Sequence, residues 1–475
     1  MGFDADVVIG LEIHVGLSTE SKLFCGCAVD EGEPNSLTCP ICLGMPGSKP
    51  KLNRKAVEYA IRLCLSLGCE VAPLMMFSRK TYFYPDMSKN YQITQYEVPL
   101  GSNGVLELSD GKVVGIERVH VEEDPASLVH AGSIRDSPFV LVDYNRSGHP
   151  LCEVVTRPEM HSPEEARDFM RQLINVLNYL GIFDPKRCII KADANISIKE
   201  SGYVRAEVKN ISGFKDIERA LGYEIARQRQ AVAEDKVIIQ ETRGFDASSG
   251  TTFSMRTKET EDDYGYILDP DLVEYVVGEG WKKDIAASMP ELPKEKRERY
   301  EKELGLSSDD AHVLASDYQL VLLFERLDID PVLAARWIRR EFVRVINYHS
   351  LDITDVELND DLVSTFKNIL KMLSEKKITD KTGQQLMDEF GNAIAAKEAF
   401  DPETYVKKHD LLAIGDLSEL DGFCKEAIVE NQKAIDDYKS GNEGALNFVV
   451  GQVMRKTRGK ADPKEVIEKL KEMIQ

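Results

Sequence analysis

Four cysteines of this chain are close enough in sequence to do joint chemistry. Cys25-x-Cys27 is followed, after eleven intervening residues, by Cys39-x-x-Cys42, with Gly26, Pro40 and Gly44 as knuckle residues. Paired thiolates at this spacing suit a tetrahedral zinc centre. Four protein ligands leave no open position for water, so such a centre is structural, and its binding energy would fold a loop too polar to fold alone. The other five cysteines are scattered and read as small apolar side chains, because a long chain with so few cysteines suggests thiols or metal ligands more than disulfides.

A second group of residues is spread over several alternating segments. In Asp6–Val15, Glu12 and His14 share the face opposite Val7, Ile9, Leu11, Ile13 and Val15. In Gly115–Asp124, His120 and Glu122 share a face, with Glu123 and Asp124 at the strand end. Lys191, Asp193, Asn195 and Ser197 lie opposite Ala192, Ala194 and Ile196, and Arg205, Glu207 and Lys209 opposite Val204, Ala206 and Val208. Any one of these strands alone reads as a half-solvated face. Gathered on one sheet, their carboxylates would repel unless a cation sat among them. Oxygen ligands with one imidazole suit Mg²⁺ or Mn²⁺ carrying a phosphate substrate, so the expectation is a concave Mg·nucleotide site.

Two further segments bear on that site. Phe77–Gln92 crowds Arg79, Lys80, Tyr82, Tyr84, Pro85, Asp86, Lys89 and Tyr91 into what reads as a rigid loop, either a polar-lidded wedge or a functional lining. In the hairpin turning at Gly244–Gly250, alternation puts Ser254, Arg256 and Lys258 on one face, where they could hold phosphates. There is no Gly-x-x-x-x-Gly-Lys-Ser/Thr loop, no Gly-x-Gly-x-x-Gly fingerprint and no nucleophile elbow, so phosphates would be held by side chains and metal.

The elements that must position these residues change character near Pro290-Glu291-Leu292-Pro293. Before it, short strands alternate with helices at Asn53–Gly68, at Ser162–Gly181 (Ser162 and Glu165 as a capping box, Pro163 at the first position) and at Asp216–Ala233. After it, amphipathic helix dominates, with a weaker break near Asp401-Pro402. The expectation is an α+β chain: a β-rich domain with an antiparallel sheet and zinc loop over 1–292, a helical domain over 293–400 and a small helical tail over 401–475. The 475 residues carry 60 Lys+Arg against 81 Asp+Glu, a net charge of -21. That excess disfavours indiscriminate RNA binding, although local fields decide specific binding and the tail holds a basic run, Arg455, Lys456, Arg458 and Lys460. No apolar run is long enough to span a bilayer, and the acidic N-terminus reads as a strand, so a cytoplasmic location is expected.

Several runs carry a specific resemblance: Val-Ile-Gly-Leu-Glu-Ile-His-Val from Val8, Lys-Leu-Phe-Cys-Gly-Cys from Lys22, and Cys-Pro-Ile-Cys-Leu-Gly-Met-Pro-Gly from Cys39. Arg-Lys-Thr-Tyr-Phe-Tyr-Pro-Asp follows from Arg79, Tyr-Gln-Ile-Thr-Gln-Tyr from Tyr91, His-Val-Glu-Glu-Asp from His120 and Asp-Ala-Asn-Ile-Ser from Asp193. Glu-Val-Lys-Asn from Glu207, Glu-Thr-Arg from Glu241 and the tail from Phe448 complete them. In this order they resemble the B subunits of the aspartyl/glutamyl-tRNA(Asn/Gln) amidotransferases over nearly the whole chain. A related protein that makes only Gln-tRNA has a large inserted domain, for which there is no room here.

The resemblance implies one part of an ATP- and Mg²⁺-dependent ligase. It would phosphorylate the side-chain carboxylate of Glu-tRNA(Gln) or Asp-tRNA(Asn), and ammonia from a separate amidase-type glutaminase subunit would then displace phosphate. That glutaminase, a small third subunit, the misacylated tRNA and a cognate glutamyl- or aspartyl-tRNA synthetase are the implied partners. Carried over by position, Glu12, His14, Glu122, Glu123, Asp193 and Glu207 are catalytic residues, with Glu12, His14, Glu123 and Glu207 as the Mg²⁺ set and Glu153 secondary. Lys80 and Lys89 would line an ammonia passage; from the residues themselves, Lys209, Ser254, Arg256 and Lys258 would meet nucleotide phosphates, and Arg455, Lys456, Arg458 and Lys460 would meet tRNA. The chain departs from the usual family pattern at Met87-Ser88-Lys89-Asn90 and at Ala192, commonly a cysteine. Two other readings stay open from the residues alone: a zinc-containing RNA-binding scaffold, and a self-contained ATP-dependent amide ligase for a small acid.

Overall fold

In the computed structural model the described residues are 4–130, 137–257, 265–351, 353, 356–414, 417–457 and 460–474, with only the backbone described at 210, 256, 257 and 417–419. The chain divides into two compact units, Met1–Leu292 and Pro293–Gln475.

In the first unit the strands are β1 (Val7–Gly16), β2 (Glu70–Val71), β3 (Leu74–Met75), β4 (Ser78–Thr81), β5 (Tyr91–Thr94), β6 (Gly101–Glu107), β7 (Val113–Glu123) and β8 (Ser127–His130). They continue with β9 (Val140–Asp143), β10 (Pro150–Thr156), β11 (Ile190–Ile198), β12 (Ala206–Ser212), β13 (Glu241–Asp246), β14 (Thr251–Thr257), β15 (Gly265–Leu268) and β16 (Tyr275–Val276). The helices are α1 (Arg54–Ser66), α2 (Pro163–Leu180), α3 (Phe214–Ala233) and α4 (Glu279–Ala287).

The period-two pattern of the first strand decides its place. Ile9, Ile13 and Val15 are fully buried in the core to which α1, α2 and α3 contribute, each such burial being worth about 1.5–3 kcal/mol. Glu12 and His14 emerge on the other face, and β1 sits mid-sheet in the order β14-β13-β12-β11-β1-β10-β7-β6-β2. The sheet departs from the fully antiparallel expectation at one pair: β12 and β13 run parallel, joined by α3 in a βαβ unit.

The helices begin where their caps place them. Asn53 accepts hydrogen bonds from the Lys55 and Ala56 amides at the start of α1. Ser162 accepts from the Glu165 amide at the start of α2, and Gly181 closes it at φ 62°. The reciprocal half of the expected capping box is altered: the Glu165 carboxylate accepts from the His161 amide at 2.7 Å.

In the second unit two apolar clusters organise the helices, one from Tyr300 to Val406 and one from Leu420 to Ile474. The break expected near Asp401-Pro402 is a helix start, with Asp401 as N-cap of Pro402–Lys408, and Val406 of that helix packs into the first cluster. A helix-opening proline reads in sequence like a boundary. No helix among the described residues is long and apolar enough to cross a membrane.

Candidate active site and metal centres

The face of the sheet that α1, α2 and α3 leave bare forms an open cleft of about 1340 Å³. Antiparallel register brings its groups together. His14 on β1 lies opposite Glu153 on β10, and Glu153 lies opposite His120 on β7. His14 Nε2 is 3.5 Å from both Glu122 Oε1 and Glu153 Oε2, while His120 Nε2 is 3.1 Å from Glu153 Oε2 and 3.5 Å from Glu122 Oε2. Two imidazoles and two carboxylates thus form a square of alternating charge. Burial opposes charge on His14, but the hydrogen bond to Glu153 and the charges of Glu153 and Glu122 outweigh it and lift the imidazole to about 10. Burial equally opposes charge on His120, which Glu153 and then Glu122 lift to about 9. Burial pushes the Glu153 carboxyl up, yet the two imidazoles hold it well below the usual carboxylate range.

Beside this square lies a second acidic group. Glu12 on β1 lies opposite Asp193 on β11, and Asn195 donates to Glu12 Oε1 at 3.0 Å and lies opposite Glu207 on β12. Lys209 Nζ joins Asp193 Oδ2 at 2.7 Å to Glu207 Oε1 at 3.0 Å, and Thr242 on β13 donates to Glu207 Oε2. Burial, then the charge of Glu153, raises the Glu12 carboxyl above its ordinary value. Such a carboxylate gains from a cation.

The donor chemistry fits a divalent ion. His14, Glu122 and Glu153 each offer a ligand atom within 4.8 Å of the others, a set of hard oxygens with one imidazole suited to Mg²⁺. Of the expected set Glu12, His14, Glu123 and Glu207, this group contains His14 alone, and Glu12 and Glu207 lie beside it. Glu122 and Glu153 meet His14, whereas Glu123, one residue along β7, leaves on the opposite face, where its carboxylate takes the Lys89 ammonium and accepts from the Ile93 amide at 2.9 Å. Adjacent strand residues cannot share a face. Glu153, secondary in the sequence reading, and His120, given no role there, are both central.

The remaining expected residues are divided. Lys80 on β4 lines the cleft; Lys89 does not, its stem lying against Gly44 and its ammonium over the Tyr91 ring at 5.1 Å. Ser254 is exposed and outside the cleft. A bulge pairs Thr242 with Arg256 but Arg243 with Ser254, which breaks the alternation behind the expected shared phosphate face. The Arg256 side chain, Lys258 and Arg458 lie outside the described residues. Of the tail run's described residues, Lys456 meets Glu426 and Glu430, Lys460 meets Asp410, and Arg455 is exposed.

The cysteines converge as their spacing implies. Cys25, Cys27, Cys39 and Cys42 offer sulfurs within 4.8 Å of one another, and the 3.9 Å between Cys39 Sγ and Cys42 Sγ matches the edge of about 3.8 Å in a zinc–thiolate tetrahedron. The hydrogen bond from Cys25 first, with the Cys39 amide and the Lys22 ammonium adding to it against burial, draws the Cys42 thiol down to about 4. The Cys42 carbonyl accepts from Ser88 Oγ at 2.9 Å and Ser147 Oγ at 3.1 Å, so the knuckle ties down the segment carrying Lys89 and the turn carrying Arg146. At Gly44, φ is +64°, and a Cβ would collide with the Lys89 side chain.

With this geometry in place, comparison with known proteins is decisive. The GatB/GatE catalytic domain matches residues 7–283, and the GatB domain matches 324–474. This chain belongs to the GatB/GatE family. The B subunit of the aspartyl/glutamyl-tRNA(Asn/Gln) amidotransferase of Carboxydothermus hydrogenoformans is 41% identical, over 99% of this chain and 98% of its own. Proteins of the same name are 43% identical in Methanoregula boonei (98% and 97% covered) and 41% in Haloquadratum walsbyi (99% and 98%). In GatB/GatE terms the catalytic-domain match spans β1 to α4 and therefore both the cleft and the knuckle.

Proposed function

We propose that the chain is the ATP-dependent part of an amidotransferase that converts Glu-tRNA(Gln) or Asp-tRNA(Asn) into Gln-tRNA(Gln) or Asn-tRNA(Asn). The cleft carries the reading: one sheet face brings His14, Glu122 and Glu153 within metal-binding reach, beside Glu12, Asp193 and Glu207. An oxygen of the substrate side-chain carboxylate attacks the γ-phosphorus of ATP, the bond to the β-phosphate oxygen breaks and ADP leaves. Ammonia then attacks the activated carbonyl carbon, phosphate leaves with the bonding electrons, and a proton passes to solvent. Bound Mg²⁺ would neutralise phosphate charge, the main requirement of phosphoryl transfer. Within the chain, His120 holds Glu122 and Glu153 in place from the flank, and Asn195 and Thr242 orient Glu12 and Glu207. Lys209 is poised to exchange its carboxylates for phosphate oxygens.

The absence of a nucleophile elbow fits a partner glutaminase that supplies the ammonia. Lys80 in the cleft and Lys89, paired with Glu123 behind β7, would line the ammonia passage at its two faces, and a small third protein completes the assembly. Cys25, Cys27, Cys39 and Cys42 would hold a structural zinc, and the Cys42 carbonyl joins that knuckle to the segments carrying Lys89 and Arg146. Among the described residues of the tail run, exposed Arg455 is the one best placed to meet tRNA phosphate.

The test supplies glutamyl-tRNA(Gln) and ATP to the chain in its complex, with free ammonia in place of glutamine, and follows ADP and Gln-tRNA. Both products should form, and Glu12→Gln should form neither. ADP formed equally from free glutamate without tRNA would overturn the reading in favour of a small-acid ligase.

A further inference from the structure

Lys22 lies among the largest fully buried side chains, 0% exposed, and its ammonium has an unusual set of neighbours. Nζ donates to Leu37 O at 2.8 Å and Tyr144 O at 3.4 Å and lies 3.7 Å from Cys42 Sγ. No carboxylate among the described residues comes within ion-pair distance of it. The two carbonyls satisfy its hydrogen bonds but not its charge, and a buried ammonium without a counter-charge is strongly destabilising. Neutral thiols would leave that charge unbalanced, whereas thiolates balance it. Four thiolates around a divalent ion carry a net charge of about -2, so the ammonium and the metal cluster each supply what the other lacks.

We infer that Lys22 is the counter-charge of the four-cysteine centre, donating to the Cys42 thiolate and so holding the metal and shielding that sulfur from electrophiles. This rests on reading the knuckle as a zinc centre. The placement is built into the fold: the Lys22 amide donates to Cys27 O at 2.9 Å, and its carbonyl accepts from the side chain of Asn53, the cap of α1. A hydrogen bond to a zinc-bound sulfur withdraws electron density from it, which lowers its nucleophilicity without removing it as a ligand.

The test uses the full-length chain loaded with zinc, comparing wild type with Lys22→Met, which keeps the stem and removes the charge. Competition with a chromogenic chelator should show zinc affinity falling on the order of ten- to a hundredfold. Alkylation of Cys42 by iodoacetamide, followed by mass spectrometry, should quicken by a similar factor. A folded Lys22→Met chain within about twofold of wild type on both measures would overturn the counter-charge role while leaving the zinc reading intact. A wild-type chain that takes up no zinc would overturn both. If Lys22→Met does not accumulate, wild type decides by acylation of lysine amines: Lys22 should be protected with zinc bound and become reactive once zinc is stripped. Equal protection in both states would overturn the proposal.

Discussion

The knuckle and the cleft both gather metal-ligating side chains, but by opposite means. The knuckle takes all four sulfurs from one short stretch that has no helix or ladder of its own and is anchored from outside by Asn145, Ser88 and Ser147. The cleft takes its groups from β1, β7, β10, β11 and β12, whose ladder fixes them before any ion arrives. Metal should therefore shape the first site and only be received by the second. Losing zinc should cost structure, and losing a cleft carboxylate should cost chemistry.

The sharpest way to break this contrast is Cys39→Ser. It should remove zinc and destabilise the knuckle by more than about 4 kcal/mol, exposing residues 20–50 to rapid hydrogen exchange. Protection equal to wild type would show that the loop holds itself together. Glu12→Gln should do the reverse. Because the folded environment already raises the Glu12 carboxyl, its charge works against the metal-free fold at neutral pH. The amide should leave thermal stability unchanged or higher while ADP formation falls at least about 100-fold. Reduced stability would mean that the cleft, too, depends on its charges for shape.

A smaller effect is expected from pH. His14 is lifted to about 10, so the stability from its protonated pairing is complete below the ordinary histidine value and lost as pH rises through about 10. Glu153, held low, contributes above the ordinary carboxylate value and loses its contribution as pH falls through its folded one. To coordinate an ion His14 must shed its proton, so Mg²⁺ affinity should rise up to about tenfold per pH unit between 7 and 10. Calorimetry in two buffers of different ionisation enthalpy should show proton release on binding; a flat profile would exclude His14 from the ligand set. Smallest is Asn53→Ala, which removes the α1 cap and the bond to the Lys22 carbonyl, at about 1 kcal/mol in denaturant titration.

The same contrast explains what could be read from sequence. The knuckle was legible because its ligands are contiguous and thiolate spacing has few other uses. β1, α1 and α2 were legible because periodicity and caps agree. The cleft was legible strand by strand but not across strands. Alternation put Glu12 beside His14 and His120 beside Glu122, yet no periodicity announces that β10 runs between β1 and β7. β10 is buried at every position, so Glu153 carries no alternation signal. The bulge that parts Ser254 from Arg256 and the carboxylates that meet Lys456 and Lys460 are likewise tertiary facts.

The central position of β1 also bears on how the chain is made. Its partners are late: Ile13 pairs with Val154 on one side and Ala192 on the other. At roughly 5–20 residues per second of synthesis, the first strand waits on the order of ten seconds before either neighbour leaves the ribosome. For that interval its Val, Ile and Leu face and both rows of backbone amides have no native mate. The nascent chain must be sheltered or held in transient non-native contacts until α2 and β10 emerge, and the cleft can assemble only after nearly half the protein has been translated.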